Sequence, residues 1–293
     1  MLAPHPVSPL ALALVLSASF IHASWNLLAK RVGGGPAVAW LLSTSSLVIW
    51  GPAVLGYWFW QRPQVSALGW WFLLGTGFIH LAYYLVLQRG YNVGDLSLVY
   101  PLARGTGPLL SATGAMLFFG ERPSWIALIG IALVLAGVFV ISSGGHRSQD
   151  PARLRNGRLY GILTGCCIAA YTLWDKYSVA TLKVPPLYQD YASSVVVAIV
   201  LGPIAWRQWD KVRACWSSHR REVIGVGFLR PLSFLLVLTA MVFTPVSYVA
   251  PAREISILIG VFLGAHLFEE EGMRRRLIAS TMMLLGITAI AFG

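Results

Sequence analysis

Once the loop charges are assigned, six side chains of this 293-residue chain are read as intramembrane charges: Arg104, Asp175, Lys176, Arg230, Arg253 and Glu254. A charge at the centre of a hydrocarbon layer costs about 2.5–3.5 kcal/mol on insertion scales, so such groups pair or line a wet path. Arg offers two parallel donors that match a carboxylate, and three arginines set against Asp175 and Glu254 suit an anionic ligand. Those two carboxylates are also the pair read here as able to carry a proton. Lys176 is the weakest member, since its stem could take the ammonium to a loop.

Aromatic and hydrogen-bonding residues fall near these charges. His22, Trp25 and Asn26 in the first apolar run resemble Tyr171, Trp174 and Asp175 in the sixth, and His80, Tyr83, Tyr84, Tyr100 and Tyr248 add further rings. Together they could form a partly aromatic pocket with a few polar groups, suited to an amphipathic solute of modest size. The alternatives are packing or interface anchoring for each aromatic, and structural ion pairs such as Arg104 with Glu254. Pro101, Pro231 and Pro251 adjoin the charges and could bend their helices there, or could be ordinary kinks.

Nothing in the chain reads as enzymatic. There is no HExxH, Gly-x-Ser-x-Gly, Walker A or carboxylate-rich metal motif. Cys166, Cys167 and Cys215 have neither a disulfide framework nor zinc spacing. No metal or cofactor is expected.

Apolar residues make up 57% of the chain and charged ones 11%, with a mean hydropathy of +0.68. Soluble domains hold about 45–50% and about 25%. The net charge of +11 sits in short loops between apolar runs and not on one face, which excludes nucleic acid as a partner. Ten segments are long and apolar enough to span a bilayer: 9–28, 37–60, 68–88, 97–119, 125–142, 159–180, 187–206, 223–243, 246–268 and 277–292. Hydrocarbon leaves no partner for a bare backbone group, so these are expected to be helices. The first segment has no basic residues before it and reads as a span, not a signal peptide. Trp58, Trp60, Trp70, Trp71, Trp206 and Trp209 cluster at segment ends as interfacial anchors. Gly161–Gly165 and Gly260–Gly264 have the spacing that brings helix backbones together.

A shift of about 150 residues superposes the two halves. Gly75, Gly77 and Phe78 fall on Gly225, Gly227 and Phe228, and Pro101, Gly114, Ala115, Leu117, Phe118 and Glu121 fall on Pro251, Gly264, Ala265, Leu267, Phe268 and Glu271. His80 then falls on Arg230 and Arg104 on Glu254, which would place them at matching depths around one central cavity, with Arg230 met by Glu254, Asp175, water or an anionic ligand. The expected organisation is an all-α polytopic membrane protein, with ten transmembrane helices as two inverted five-helix repeats. The first repeat is 1–145, the second is 159–293, and 146–158 is the loop between them. Five spans per half place the second half upside down, the architecture of alternating access around a midplane site.

The runs at 22–31, 117–141 and 251–271 resemble the EamA-type members of the drug/metabolite transporter superfamily. In that family each half closes its fourth span with Gly-Glu-Arg or similar; Glu121-Arg122 fits, and Glu271 fits except that Gly272 replaces the basic residue. The resemblance implies an inner-membrane transporter, but family substrates run from amino acids to sugars, nucleosides and drugs. The leading expectation is export of a small metabolite such as an amino acid or related carboxylate. A lipid-headgroup flippase is the alternative within transport, and a membrane enzyme or sensor the alternative outside it. The bilayer and a small solute are the expected partners, with protons a candidate coupling ion and a homodimer a candidate assembly.

Of 22 Lys and Arg residues, 15 lie in loops after odd-numbered spans and three (Arg62, Arg122 and Lys183) on the other side. The positive-inside rule then puts both termini outside, whereas the family resemblance implies termini inside.

Overall fold

A computed structural model describes residues 8–142, 150–259 and 273–292, and the described residues hold helices and no strand. In chain order the helices are α1 (Pro9–Val32), α2 (Pro36–Gln61), α3 (Ala67–Val93), α4 (Leu96–Phe118), α5 (Trp125–Ser142), α6 (Pro151–Lys176), α7 (Pro186–Arg207), α8 (Trp209–Phe243), α9 (Val246–Ala252) and α10 (Met273–Phe292). A π-helical turn, Tyr177–Thr181, follows α6. Proline opens α1, α2, α6 and α7, where its missing N–H is not needed. Ser8 and Ser66 accept from the first-turn amides Ala11 N and Gly69 N at 3.1 and 3.0 Å.

Five helices (α1, α2, α3, α7 and α8) are long and apolar enough to cross a membrane by length and composition. The parts of α5 and α10 over 125–140 and 277–292 are shorter apolar helices. Large apolar side chains, including Trp60, Trp71, Trp125, Trp206 and Phe118, are strongly exposed. Such a surface suits a lipid environment and not water.

Helix pairing follows the sequence repeat. α1 packs on α8 as α6 packs on α3, and α2 packs on α8 as α7 packs on α3. Equivalent helices also meet each other. Gly51 on α2 lies beside Tyr191 on α7, and Gly202 on α7 beside Trp40 on α2. In the α5–α10 pair, Gly130 approaches Gly286 while Gly137 approaches Ala279 and Met283. High numbers on one helix meet low numbers on its partner, so both pairs run antiparallel. A Cβ on Gly130 would lie 2.6 Å from the Gly286 carbonyl oxygen, and one on Gly286 would lie 2.7 Å from that of Gly130. Glycine is required at this crossing. On α6, Gly161 and Gly165 give α4 room to approach, with Leu102 and Thr106 over them.

Three boundaries differ from the expected spans. α6 starts at Pro151, inside the stretch read as the inter-repeat loop, because Asp150 caps it through Ala152 N at 2.9 Å. The polar stretch 208–222, read as a loop, forms the first part of α8, which turns at His219 (φ −131°, ψ 33°). It contains neither Gly nor Pro, and it packs Val212 and Cys215 against Val32, Ala205 and Val223. The ninth span breaks at Arg253 and Glu254. There the bonds tighten to i→i−3, Glu254 N to Pro251 O at 3.0 Å and Ile257 N to Glu254 O at 2.9 Å, and helical backbone resumes over 255–259. Gly260–Gly264, Glu271 and Gly272 lie outside the described residues.

Candidate functional site

The break after α9 brings two adjacent charges into the middle of the bundle. Glu254 is fully buried and Arg253 is 6% exposed. Arg104 Nε lies 2.9 Å from Glu254 Oε2, off the direction of a hydrogen bond, and Arg104 Nη2 donates to Ser256 Oγ at 3.3 Å. Tyr100, one helical turn before Arg104, lies beside it. Arg253 Nη2 donates to Tyr171 Oη at 3.4 Å. Among the described residues no carboxylate lies within 4.0 Å of Arg253, and Arg253 Nε and Glu254 Oε1 are buried without a hydrogen-bond partner.

Rings from four helices surround these groups. Tyr171 (α6) stacks on His80 (α3) with centroids 4.4 Å apart, and Tyr83 (α3) meets Tyr171 edge-on at 5.6 Å. His22 (α1) meets Trp25 edge-on at 4.9 Å and lies within electrostatic reach of Arg104 and Arg253. His22, Tyr83, Tyr100 and Arg104 each keep some exposed surface, whereas Tyr171, Arg253 and Glu254 are buried behind them.

A second polar cluster adjoins the first. Asp175 Oδ1 accepts from Thr76 Oγ1 and from Gln189 Nε2, both at 2.7 Å, and Gln189 Oε1 accepts from Ser178 Oγ at 2.9 Å. Asp175 Oδ2 lies 3.9 Å from His80 Nε2. Arg230 turns instead to the junction of α2 and α7, where Nη2 donates to Ser194 Oγ at 2.8 Å and Ser46 Oγ at 3.3 Å. Its expected carboxylate partners, Glu254 and Asp175, have other contacts, and the acidic neighbour of Arg230 is Asp190 on α7. That residue is buried, so among the described residues Asp175, Asp190 and Glu254 stand against Arg104, Arg230 and Arg253 in the interior. The expected excess of guanidinium over carboxylate is therefore not general; it is local to Arg253. Asp190, Gln189 and Thr76 were not among the expected site residues. The available signal was the polar pair Gln189-Asp190 just inside an apolar run.

Other expected residues have their polar atoms engaged elsewhere. Trp174 Nε1 donates to Phe72 O at 2.9 Å, and its ring stacks on Phe72 over Gly75. Asn26 is exposed and returns Nδ2 to His22 O at 2.7 Å. Tyr84 Oη donates to Gly35 O at 3.0 Å, tying α3 to the α1–α2 turn. Tyr248 is buried in the α5–α10 core and accepts from Ser124 N at 3.4 Å. Trp25 Nε1 is buried without a partner. Lys176 Nζ reaches Met241 O at 2.6 Å and Thr244 O at 2.9 Å, where it serves the C-terminal carbonyls of α8. Glu121 spans the halves: its two carboxylate oxygens accept from Val246 N and Ser247 N, each at 2.8 Å, and cap α9.

Among the described residues no group of three or more His, Cys, Asp or Glu is arranged to hold a metal ion. The polar interior is thus built from arginines, carboxylates, hydroxyls and aromatic rings.

Comparison with known proteins agrees with the repeat. A family model of EamA-like transporters matches residues 9–143 and again 155–292. Multidrug resistance protein EbrB of Bacillus subtilis (strain 168) is 31% identical over 80 residues, which cover 27% of this chain and 68% of that protein. A protein solved by crystallography superposes with a TM-score of 0.75 at 14% identity, over 95% of this chain and 97% of its own, a likeness of fold alone. This multi-pass membrane chain belongs to the EamA-like transporter family, with one repeat in each half.

Proposed function

We propose that this chain is an inner-membrane secondary transporter of ten spans, in which two inverted repeats exchange conformations around the Arg104, Arg253 and Glu254 cluster to export an amino acid or related carboxylate. The observation that carries the substrate class is the neighbouring pair Arg253 Nε and Glu254 Oε1, a buried donor and a buried acceptor without partners. Such a pair complements the carboxylate and ammonium of an amino acid, since a buried polar group left unpaired costs about 1–3 kcal/mol that a matching ligand recovers. His22, Tyr83 and Tyr171 would supply apolar walls with polar edges. Arg230 enters this reading as a second cationic group, held by Ser46 and Ser194. The antiparallel meeting of α2 with α7 and of α5 with α10 supports the inversion, and the broken ninth span supports a midplane site. Membership of a transporter family fits a protein that is not an enzyme. A thermal-shift screen of the purified protein against amino acids and other carboxylates tests the substrate class. Stabilisation by amino acids that disappears in Arg253→Met supports it, and stabilisation only by cations or uncharged solutes contradicts it.

A further inference from the structure

The hydrogen bonds around Asp175 leave one proton to be placed. The single hydroxyl proton of Thr76 is donated to Asp175 Oδ1. Towards His80, therefore, Thr76 Oγ1 can only accept, as can the Thr76 carbonyl oxygen. His80 Nδ1 faces both, at 3.1 and 2.9 Å, so Nδ1 must carry a proton. In a neutral imidazole that leaves Nε2 as a bare acceptor. Nε2 lies 3.9 Å from Asp175 Oδ2, beyond hydrogen-bond distance but within reach of an ion pair, and Oδ2 is a buried acceptor without a hydrogen-bond donor of its own. Without a further proton, a bare imidazole nitrogen and an unpartnered carboxylate oxygen share a site where Asp175 is 1% exposed. One proton makes the contact favourable: on Nε2 it sets an imidazolium against the carboxylate at 3.9 Å, and on Oδ2 it neutralises the buried carboxylate.

We propose that Asp175 and His80 form a binding site for a single proton, linked to the Arg253 cluster through the His80–Tyr171 stack. The role of this proton in transport rests on the reading given above; its binding does not. The site is tied to several neighbouring elements. Gln189 carries it to α7, and Ser178, bonded to Gln189, lies in the π-helical turn that follows α6, a backbone feature common at functional sites. The charged groups facing the pair are Asp190 from α7, Arg230 from α8 and Arg253 beyond α9. Occupancy therefore changes the charge felt by the substrate cluster: with the proton bound, Asp175 and His80 together are neutral, and without it they carry one negative charge beside Arg253. Tyr171, which stacks on His80 and accepts from Arg253, supplies the physical contact between the two clusters.

The test uses the purified full-length protein without substrate, with the proton as the ligand, so it stands apart from any failure to find a transported solute. Nuclear magnetic resonance of isotope-labelled histidine, with His80 assigned by its loss in His80→Gln, follows both ring nitrogens as pH is varied. The expected result is an Nδ1 that stays protonated and an Nε2 signal that changes in one step. Asp175→Asn places a permanent amide donor opposite Nε2 and should remove that step. A His80 with bare Nδ1, ring nitrogens indifferent to pH together with an aspartate acid band indifferent to His80→Gln, or a step unchanged in Asp175→Asn would overturn the proposal. Should Asp175→Asn not fold, infrared spectra of aspartate-labelled protein decide the matter: an acid band whose titration shifts in His80→Gln supports the pair, and a band indifferent to His80→Gln contradicts it.

Discussion

Arg104 and Glu254, which the offset of about 150 residues aligns, lie 2.9 Å apart, so one ion pair joins the two halves. A buried pair contributes little against an apolar substitute, but removing one partner strands the other charge at a cost of about 3–5 kcal/mol. Arg104→Met and Glu254→Gln should each lower the thermal unfolding temperature by a wide margin. Because the two positions align, the double variant Arg104→Glu with Glu254→Arg should regain much of the loss. A double variant no more stable than either single one would show that the two residues do not act as a pair.

The α5–α10 crossing is tested by size. Gly286→Ala would put a methyl 2.7 Å from the Gly130 carbonyl oxygen, whereas Gly56→Ala meets no atom within 4 Å. The first should cost about 1–3 kcal/mol as overpacking, and the second should be neutral or stabilising. Equal unfolding temperatures for the two variants would contradict this packing.

Glu121 should matter as a helix cap and not as a transport group. Its two oxygens hold the amides of Val246 and Ser247. Glu121→Ala should cost about 0.5–2 kcal/mol, the range for a lost cap. Hydrogen exchange should quicken at those two amides. Unchanged protection there would remove the cap.

Parts of this arrangement were legible in the sequence because hydrocarbon makes charge conspicuous. Arg104, Arg230, Arg253 and Glu254 stand out in apolar runs, and the offset of about 150 residues aligns Arg104 with Glu254. Thr76 was not legible, since a small hydroxyl side chain occurs in such runs without a charge penalty to mark it. Asp190 lies only four residues after Pro186, near the end of a span where a carboxylate can reach water, and so its sequence position does not mark it as buried; the start of α7 is packed inside the bundle through Tyr188. The role of Trp174 depends on a main-chain carbonyl at Phe72, which no side-chain pattern records. Polarity alone made 208–222 look like a loop, where the lack of Gly and Pro was the better guide.

If Asp175 and His80 hold the coupling proton, a pH gradient should drive substrate flux in liposomes, and Asp175→Asn should abolish that drive while exchange of substrate across the membrane continues. Flux that still follows the gradient in Asp175→Asn would place the coupling elsewhere.

If Arg253 receives the carboxylate of an exported amino acid, flux in proteoliposomes shows it most directly. With the amino acid that gives the largest thermal shift, the unaltered protein should show saturable transport, and Arg253→Met should lose it while still eluting as a folded species. Arg253→Lys keeps the charge without the planar pair of donors and should weaken binding by about 1.5–3 kcal/mol. Normal saturable flux in folded Arg253→Met would contradict the account.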